Sequence, residues 1–421
     1  MSVQRITQKS HIKKTIAAPG DKSISHRAVM IGALADGVTE IDGFLPGEDC
    51  LSTIACFRKL GVNISADSNR ALVGGNGLWG LSPIDESELD VGNSGTTLRL
   101  ITGILAGQHF NSRLTGDESI QKRPMKRVFE PLRLMGAEFS GRDTAPFTVY
   151  GKSLKGVSYT LPVASAQVKS AIILAALFAE GETVITEPQR TRDHTEIMLS
   201  YFGADIKRQG SQIIVQPAAE LNACKLRVPG DISSAAFFIA LGLIVPDSEV
   251  TVTGVGVNPT RTGILDAFIN MGGQIEITNR RLYGGEQVAD ITARSSSLKG
   301  VEIFGDIIPR MIDEIPILAA AAAFAEGRTV IRDAEDLKYK ESNRIRTVAM
   351  ELSKLGARIS ETPDGLIIDG GHTLSGSIVD SHNDHRIAMS LAIAACAING
   401  DTFIKNSECV NISFPSFFDL L

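Results

Sequence analysis

Several short stretches place a Lys or Arg in or beside the first turn of a helix that the sequence pattern predicts. Lys22 and Arg27 flank Ser23, Arg99 follows Asn93-Ser94, Lys169 follows Ser165, Arg344 follows Ser342, and Arg386 follows Asp384. Ser, Asn and Asp are good N-caps, and Pro124 and Pro316 suit a first turn, so these helix starts are well marked. A cation there stands against the helix macrodipole, which typically penalises it by about 0.3 to 1 kcal/mol. One such residue would be an ordinary solvated side chain. Repeated along the chain, the arrangement suits backbone N–H groups and cations that converge on anions, as for a substrate pair carrying phosphates and a carboxylate.

Two carboxylates could move protons beside such anions. Asp313, in Ile312-Asp313-Glu314-Ile315-Pro316, precedes a long Ala-rich helix, and its plainest role is an N-cap. Glu341, between Lys340 and Ser342, would most simply pair with a neighbouring cation. Residue type and spacing alone raise neither above that structural role. Other chemistries lack their signatures: there is no G-x-x-x-x-G-K-[ST] loop and no H-E-x-x-H, and the 7 histidines show no metal-ligand spacing. Gly254-Val255-Gly256 lacks the third glycine and following helix of a dinucleotide fingerprint. The sequence therefore predicts no metal and no cofactor.

These helix starts sit in a repeating frame. A helix ending followed by a strand recurs at Lys59-Leu60-Gly61-Val62, Leu134-Met135-Gly136-Ala137, Tyr201-Phe202-Gly203-Ala204, Asn270-Met271-Gly272-Gly273 and Lys354-Leu355-Gly356-Ala357. The glycine stands where the residue after a helix needs φ > 0. A helix-period run precedes it, as in Ile345, Val348, Leu352 and Leu355, and alternation follows, as in Ala357-Arg358-Ile359-Ser360. The other half of the unit is an apolar helix closing on Ala35-Asp36-Gly37, Leu105-Ala106-Gly107, Ala179-Glu180-Gly181 or Ala325-Glu326-Gly327, with a β-branched strand after it. The period is roughly 70 residues, longer than common solenoid repeats. A sixth unit opens at Asp384-His385-Arg386 and runs to Asn399-Gly400, without the usual glycine stop and hairpin before Leu421. Gln4 to Ala18 have no helix of their own and could supply its missing strand. Three units per domain then predict a discontinuous domain, 1–19 with 230–421, and an inserted one, 20–229. The chain would cross between them at the twin tripeptides Pro19-Gly20-Asp21 and Pro229-Gly230-Asp231.

Composition agrees with that scale. At 421 residues the chain exceeds what one core usually organises, and 43% hydrophobic with 21% charged residues is an ordinary globular balance. A formal net charge of -6 argues against a broad nucleic-acid or anionic-membrane surface. Cys50, Cys56, Cys224, Cys396 and Cys409 are odd in number and form no C-x-x-C pair, which predicts buried thiols in a reducing cytosol. Met1 to Lys14 offers no hydrophobic signal core. The apolar stretches, such as Ala235 to Val245 and Ile387 to Ile398, fall short of the roughly 20 residues that span a bilayer. A cytoplasmic protein without a membrane partner is expected.

Taken together, Gly20-Asp21-Lys22-Ser23-Ile24-Ser25-His26-Arg27-Ala28, Gly92-Asn93-Ser94-Gly95-Thr96-Thr97, Arg123-Pro124-Met125, Lys340-Glu341-Ser342-Asn343-Arg344 and Asp384-His385-Arg386 resemble the 5-enolpyruvylshikimate-3-phosphate (EPSP) synthase family of enolpyruvyl transferases. The likeness runs from about Pro19 to Asp419, and its specificity lies in the order and spacing of motifs that are each weak alone. It implies an α/β fold, a two-domain inside-out α/β barrel with three βαβαββ repeats per domain and an active site in the cleft between the domains. It implies transfer of the enolpyruvyl group of phosphoenolpyruvate to shikimate 3-phosphate in aromatic amino-acid biosynthesis, by a monomer that is a target of glyphosate. Carried over residue by residue, it puts Lys22, Ser23, Arg27, Ser165, Gln167, Arg192, Asp313 and Lys340 on shikimate 3-phosphate. Phosphoenolpyruvate falls to Lys22, Asn93, Gly95, Arg123, Gln167, Arg344 and Arg386. Asp313 would serve the reacting hydroxyl, and Glu341, with Lys22, the carbon-centred proton. Two positions depart from the family pattern. Ser165-Ala166-Gln167 has one serine where many members have two, with Arg192 as a compensating contact, and Ile412 stands where some members carry a Lys.

Two rivals share features with this reading. The related transferase acting on UDP-N-acetylglucosamine typically has a Cys as acid in the loop ahead of its Arg-Pro, and Gly116 to Lys122 has none. A non-catalytic anion-binding protein on the same repeat would not need Asp313 and Glu341 beside a full set of cations.

Overall fold

The structure, a computed structural model, describes residues 2–84 and 88–421. Residue 1, the start of the first expected segment, and residues 85–87 lie outside the described residues. The chain divides into two compact units: Met1–Pro19, Pro229–Leu282 and Gln287–Leu421 form one, and Gly20–Val228 with Tyr283–Glu286 the other. This division and the expected boundaries differ at Pro229 and at the 283–286 turn. The units are called here terminus-bearing and inserted.

One sheet pattern recurs along the chain. In the inserted unit Lys225–Arg227, Asp36–Asp42, Arg70–Asn76 and Asn63–Asp67 lie side by side in that order, the first pair parallel and the rest antiparallel. Leu89–Asp90, Asn111–Thr115, Phe147–Tyr150 and Glu138–Gly141 repeat the order, as do Ser158–Thr160, Thr183–Thr186, Gln212–Val215 and Ile206–Gln209. The terminus-bearing unit has this order in two four-stranded sheets, while its last sheet has three strands, Ile378–Asp380, Thr402–Lys405 and Val3–Ile6, and the N-terminal segment serves the unit twice. Val3–Ile6 pairs antiparallel with Thr402–Lys405, which supplies the strand expected to be missing from the sixth repeat. Lys13–Ala17 lies parallel to Glu249–Gly256 and acts as first strand of the fourth. Lys225–Arg227 does the same for the first repeat, so in both units a strand distant in sequence completes a sheet.

Inside the sheets lie helices that are apolar on nearly all sides. Residues Ile24 to Leu34 of the helix Lys22–Leu34 are all buried, and the helices Gly95–Ala106, Ala166–Ala176, Ile232–Ile244, Ile315–Ala322 and His385–Cys396 are buried over most of their length. A helix without a polar face must be enclosed, whereas the alternating burial of strands such as Asp36–Asp42 leaves one sheet face to water. Close helix contact depends on small residues: a Cβ built on Gly103 would stand 2.2 Å from the carbonyl oxygen of Ala171. Each unit has its own hydrophobic core, one reaching from Ile6 to Phe417 by way of Ile232 to Phe414, the other from Ile24 to Val228.

The glycine stops have the backbone the repeat required. Gly61, Gly136, Gly203, Gly272 and Gly356 have φ of 82, 103, 97, 88 and 96°, a region other residues enter only with strain. Cys50, Cys56, Cys396 and Cys409 are buried and Cys224 is partly so, and burial pushes the thiols of Cys56 up to about 12 and of Cys224, Cys396 and Cys409 up to about 11. Among the described residues no helix is long and apolar enough to cross a membrane.

Candidate active site

In the inserted unit, Asp21 rather than Ser23 caps the first inner helix, its Oδ1 accepting from Ile24 N–H at 2.9 Å. The cap leaves Lys22 in the first turn, where Nζ stands 2.9 Å from Asp49 Oδ2. Asp49 opens the helix Glu48–Lys59, a helix start that favours an anion. Arg27, one turn on, is only 4% exposed and is held at three points: Nε donates to Thr195 Oγ1 (2.7 Å), one terminal nitrogen to the Ser23 carbonyl (2.9 Å) and the other to Ser170 Oγ (2.8 Å). Burial pulls its pKa down to about 10; Glu196 and Asp21 resist, while the charge of Arg192 adds to the fall. Arg27 thus stays a cation, and Arg192 lies within its electrostatic reach.

A second group gathers at the start of the helix Gly95–Ala106. Ser94 caps it, accepting from Thr97 N–H at 3.1 Å. Asn93 bridges two partners, donating to Asp117 Oδ2 at 2.7 Å and accepting from Arg123 at 2.9 Å. Arg99 donates to Gln167 Oε1 at 2.7 Å, and Gln167 Nε2 donates to Thr96 Oγ1 at 3.1 Å. Ser165 caps the helix that carries Gln167. A Cβ on Gly95 would stand 2.8 Å from a terminal nitrogen of Arg99 and 3.0 Å from one of Arg123. Two guanidinium groups and a helix N-terminus therefore converge on the one residue whose backbone is bare, a setting made for a compact anion. Behind them a buried chain of hydroxyls runs from Ser94 to Thr97, Thr53 and His26 Nδ1, each link 2.7 Å. Burial lowers the His26 pKa to about 3, so this link stays neutral and ties the inner helices together without titrating.

The terminus-bearing unit builds its charge cluster around Arg344, which is 1% exposed. Asp384 Oδ2 accepts from Arg344 Nε at 2.8 Å and from Ser342 Oγ at 3.0 Å. Glu341 Oε2 accepts from Arg344 at 2.6 Å, and Asp313 Oδ1 meets Arg344 at 3.3 Å and Lys340 Nζ at 3.1 Å. Burial alone would lower the Arg344 pKa, but Asp384, Glu341 and Asp313 more than reverse it, and the pKa is raised. Arg386 opens the last inner helix; its backbone N–H donates to Asp384 Oδ1 at 3.0 Å, and its guanidinium lies 3.8 Å from the buried Glu314.

Three expectations need correction. Asp313 is not an N-cap: it lies in the turn Ile312–Glu314, Glu314 takes the cap position without a capping bond, and Asp313 pairs with cations instead. Asn343 rather than Ser342 caps the helix Arg344–Lys354, because Ser342 turns its hydroxyl to Asp384. Lys169 does not face an anion site. It is fully buried, with Nζ 3.0 Å from Glu187 and 2.7 Å from Glu196. Within the inserted unit Asn93, Gly95, Arg123 and Gln167 are brought together, and within the other so are Asp313, Lys340, Glu341 and Arg344. Sequence reasoning missed Asp49, Asp384 as a clamp on Arg344, and the contact of Arg99 with Gln167. Asp49 had a signal, an acidic residue in the first turn of a helix; the others depend on side chains meeting across repeats. Among the described residues no group of His, Cys, Asp and Glu is arranged to hold a metal ion.

The chain as a whole is similar to known proteins. The model of the family described as EPSP synthase (3-phosphoshikimate 1-carboxyvinyltransferase) matches residues 6–421. The chain is 56% identical over 423 residues to the 3-phosphoshikimate 1-carboxyvinyltransferase of Thermoanaerobacter pseudethanolicus, with 99% of each chain covered. It is 53% identical to that of Brevibacillus brevis, covering 99% of this chain and 98% of the relative. A solved structure of EPSP synthase from Acinetobacter baumannii superposes with a TM-score of 0.89 at 44% identity, covering 99% of this chain and 97% of that one.

Proposed function

Because the chain belongs to the EPSP synthase family, we propose that it transfers the enolpyruvyl group of phosphoenolpyruvate to the 5-hydroxyl of shikimate 3-phosphate and releases phosphate. The enzyme is a 3-phosphoshikimate 1-carboxyvinyltransferase of aromatic amino-acid biosynthesis. The observation that carries the chemistry is the placement of two carboxylates, Asp313 and Glu341, against one buried guanidinium, that of Arg344. The reaction needs two proton carriers, and fixed, separately positioned carboxylates supply them. Asp313 takes the proton of the 5-hydroxyl as its oxygen bonds to C2 of phosphoenolpyruvate, and Glu341, with Lys22, delivers one to the methylene carbon. The tetrahedral adduct then loses phosphate, and the new methyl group returns a proton as the double bond reforms. Ser23, Arg27, Ser165, Gln167, Arg192 and Lys340 hold shikimate 3-phosphate in this reading. Lys22, Asn93, Gly95, Arg123, Gln167, Arg344 and Arg386 hold the donor. The working unit is a cytoplasmic monomer, which light scattering on the purified protein tests.

The UDP-N-acetylglucosamine alternative is disfavoured by the names of the relatives as well as by the loop without Cys. Phosphate release from shikimate 3-phosphate and phosphoenolpyruvate is the deciding assay. Turnover with these two, and none with UDP-N-acetylglucosamine in place of the first, is expected; folded protein that releases no phosphate would sink the proposal.

Gly95 supplies a test of the donor subsite. A methyl group there must displace the tips of Arg99 and Arg123 by a few tenths of an ångström, and flexible tips can give. Glyphosate, which occupies the donor position in this family and is slightly longer than phosphoenolpyruvate, needs the same space. Gly95→Ala is expected to raise the inhibition constant by about 10-fold or more, the size of one lost charge-assisted contact, and the KM for phosphoenolpyruvate by less. Equal losses for both ligands would show that the space beside Gly95 does not discriminate.

A further inference from the structure

We propose that the buried pair Lys169–Glu187 is a positioning device that fixes the Thr191–Arg192 backbone, so that Arg192 meets the phosphate of shikimate 3-phosphate where Ala166 provides no hydroxyl. The inference rests on the function proposed above. Lys169 and Glu187 are both fully buried, their charged atoms 3.0 Å apart. Together they grip Thr191 on every polar group it has. Glu187 Oε1 accepts from Thr191 N–H at 3.2 Å and from its hydroxyl, and Lys169 Nζ donates to its carbonyl at 3.4 Å. Arg208 closes the cluster from outside, donating to Glu187 Oε2 at 2.5 Å. The Glu187 carboxyl, which burial alone would push up, is held below the usual range by Lys169 and by the bonds from Arg208 and Thr191.

Such a pair is a poor investment for stability alone. Two ions taken out of water lose several kcal/mol of solvation each, by general experience, and an apolar pair of similar volume often does as well. What an ion pair with directed hydrogen bonds adds is geometry. The segment after Glu187 has no regular structure up to the helix His194–Tyr201, so Thr191 is where its path is set. Two helices, Ala166–Ala176 with Lys169 and His194–Tyr201 with Glu196, also hold Arg27: Ser170, next to Lys169, and Thr195, next to Glu196, both accept from its guanidinium and bond each other at 2.7 Å. Ser165 caps the helix from which Lys169 turns inward. One rigid block therefore presents Ser165, Arg27 and Arg192 in fixed relation, and the cation that the sequence placed among the anion binders acts through its neighbour.

Steady-state kinetics on the full chain test this with two variants. Thr191→Val keeps shape and removes the hydroxyl link. Lys169→Met combined with Glu187→Leu removes both charges of the pair, and Arg208, 3.7 Å from Glu196, stays as the cation facing that carboxylate. Both are expected to raise the KM for shikimate 3-phosphate by about 10-fold to 100-fold, the range of a mispositioned charged contact, and to leave the KM for phosphoenolpyruvate within about 2-fold. Thr191→Ser, which keeps the hydroxyl, should restore the wild-type value. In an Arg192→Ala background, Thr191→Val should add almost nothing, since Thr191 acts only through Arg192. A folded double variant with an unchanged KM for shikimate 3-phosphate would overturn the proposal, as would full additivity with Arg192→Ala. Wild-type protein that releases no phosphate would instead overturn the functional reading.

Discussion

Asp313→Asn and Glu341→Gln are each expected to lower kcat by about 100-fold to 10,000-fold, the usual contribution of a positioned general acid or base. Binding should change far less. Both substitutions keep shape and keep an oxygen that can accept from the cations now in contact: Lys340 and Arg344 for Asp313, Arg344 for Glu341. The two variants also separate the steps. Asp313→Asn should slow the first bond formation, so a rapid-quench experiment at high enzyme concentration should show no tetrahedral adduct. Glu341→Gln should block protonation of the methylene carbon, so exchange of solvent deuterium into the methylene group of phosphoenolpyruvate should fall with kcat. If either variant turned over at near-normal rate, the role given to that residue would be wrong. If both lost substrate affinity as strongly as turnover, the carboxylates would be positioning cations rather than moving protons.

The repeat was legible in the sequence because it rests on local rules. A glycine that must take positive φ after a helix leaves a mark wherever it stands, and Gly61, Gly136, Gly203, Gly272 and Gly356 all do. Helices that are apolar all round announce their burial in the same way. The strand that Val3–Ile6 adds to Thr402–Lys405 was inferable by counting what each repeat lacked, but the second service of the N-terminal segment, Lys13–Ala17 beside Glu249–Gly256, was not. Pairing between distant strands is set by closure of the whole unit, and no local pattern carries it. The site shows the same divide. Helix-start cations were visible, yet sequence cannot tell Arg99, which reaches Gln167, from Lys169, which turns inward to Glu187 and Glu196. Both follow a capped helix start by the same logic. Only the carboxylates supplied by other segments, Glu187 ahead of the 188–193 stretch and Glu196 on the next helix, decide which way the side chain goes.

Asp384 gives the largest expected effect on folding; its place at a helix start was legible in the sequence, its hold on Arg344 was not. It follows two residues in the left-handed region, His382 at φ 53° and Asn383 at φ 57°, an arrangement that non-glycine residues adopt only when the surroundings hold it. The surroundings do hold it. The buried carboxylate of Glu351 accepts from the Asp380 N–H at 2.9 Å and contacts His382 Nε2 at 2.8 Å, while Asp380 accepts from His382 N–H at 2.8 Å. Glu351 lies on the helix Arg344–Lys354, so the helix that begins with Arg344 also grips the turn that delivers Arg344's partner. Asp384 then serves three ends at once: it caps the helix His385–Cys396, fixes Ser342, and pairs with the buried Arg344 guanidinium. Asp384→Ala removes all three and leaves Arg344 to Glu341 and Asp313. Breaking a buried pair typically costs about 3 to 5 kcal/mol, and loss of the cap about 1 kcal/mol more. Asp384 uses Oδ1 for the cap and Oδ2 for Arg344 Nε, so Asp384→Asn keeps one of these two acceptors and should cost about 1 to 3 kcal/mol, the range for a buried charged hydrogen bond. Urea unfolding followed by circular dichroism should therefore place the midpoints in the order wild type, Asn, Ala. On the proposed assignment of Arg344 to the donor, the donor KM should rise in both variants, because Arg344 loses the carboxylate that orients it. An Asp384→Ala protein as stable as the Asn variant would mean that Glu341 and Asp313 alone suffice to compensate Arg344, and that the strained turn serves some purpose other than placing this carboxylate.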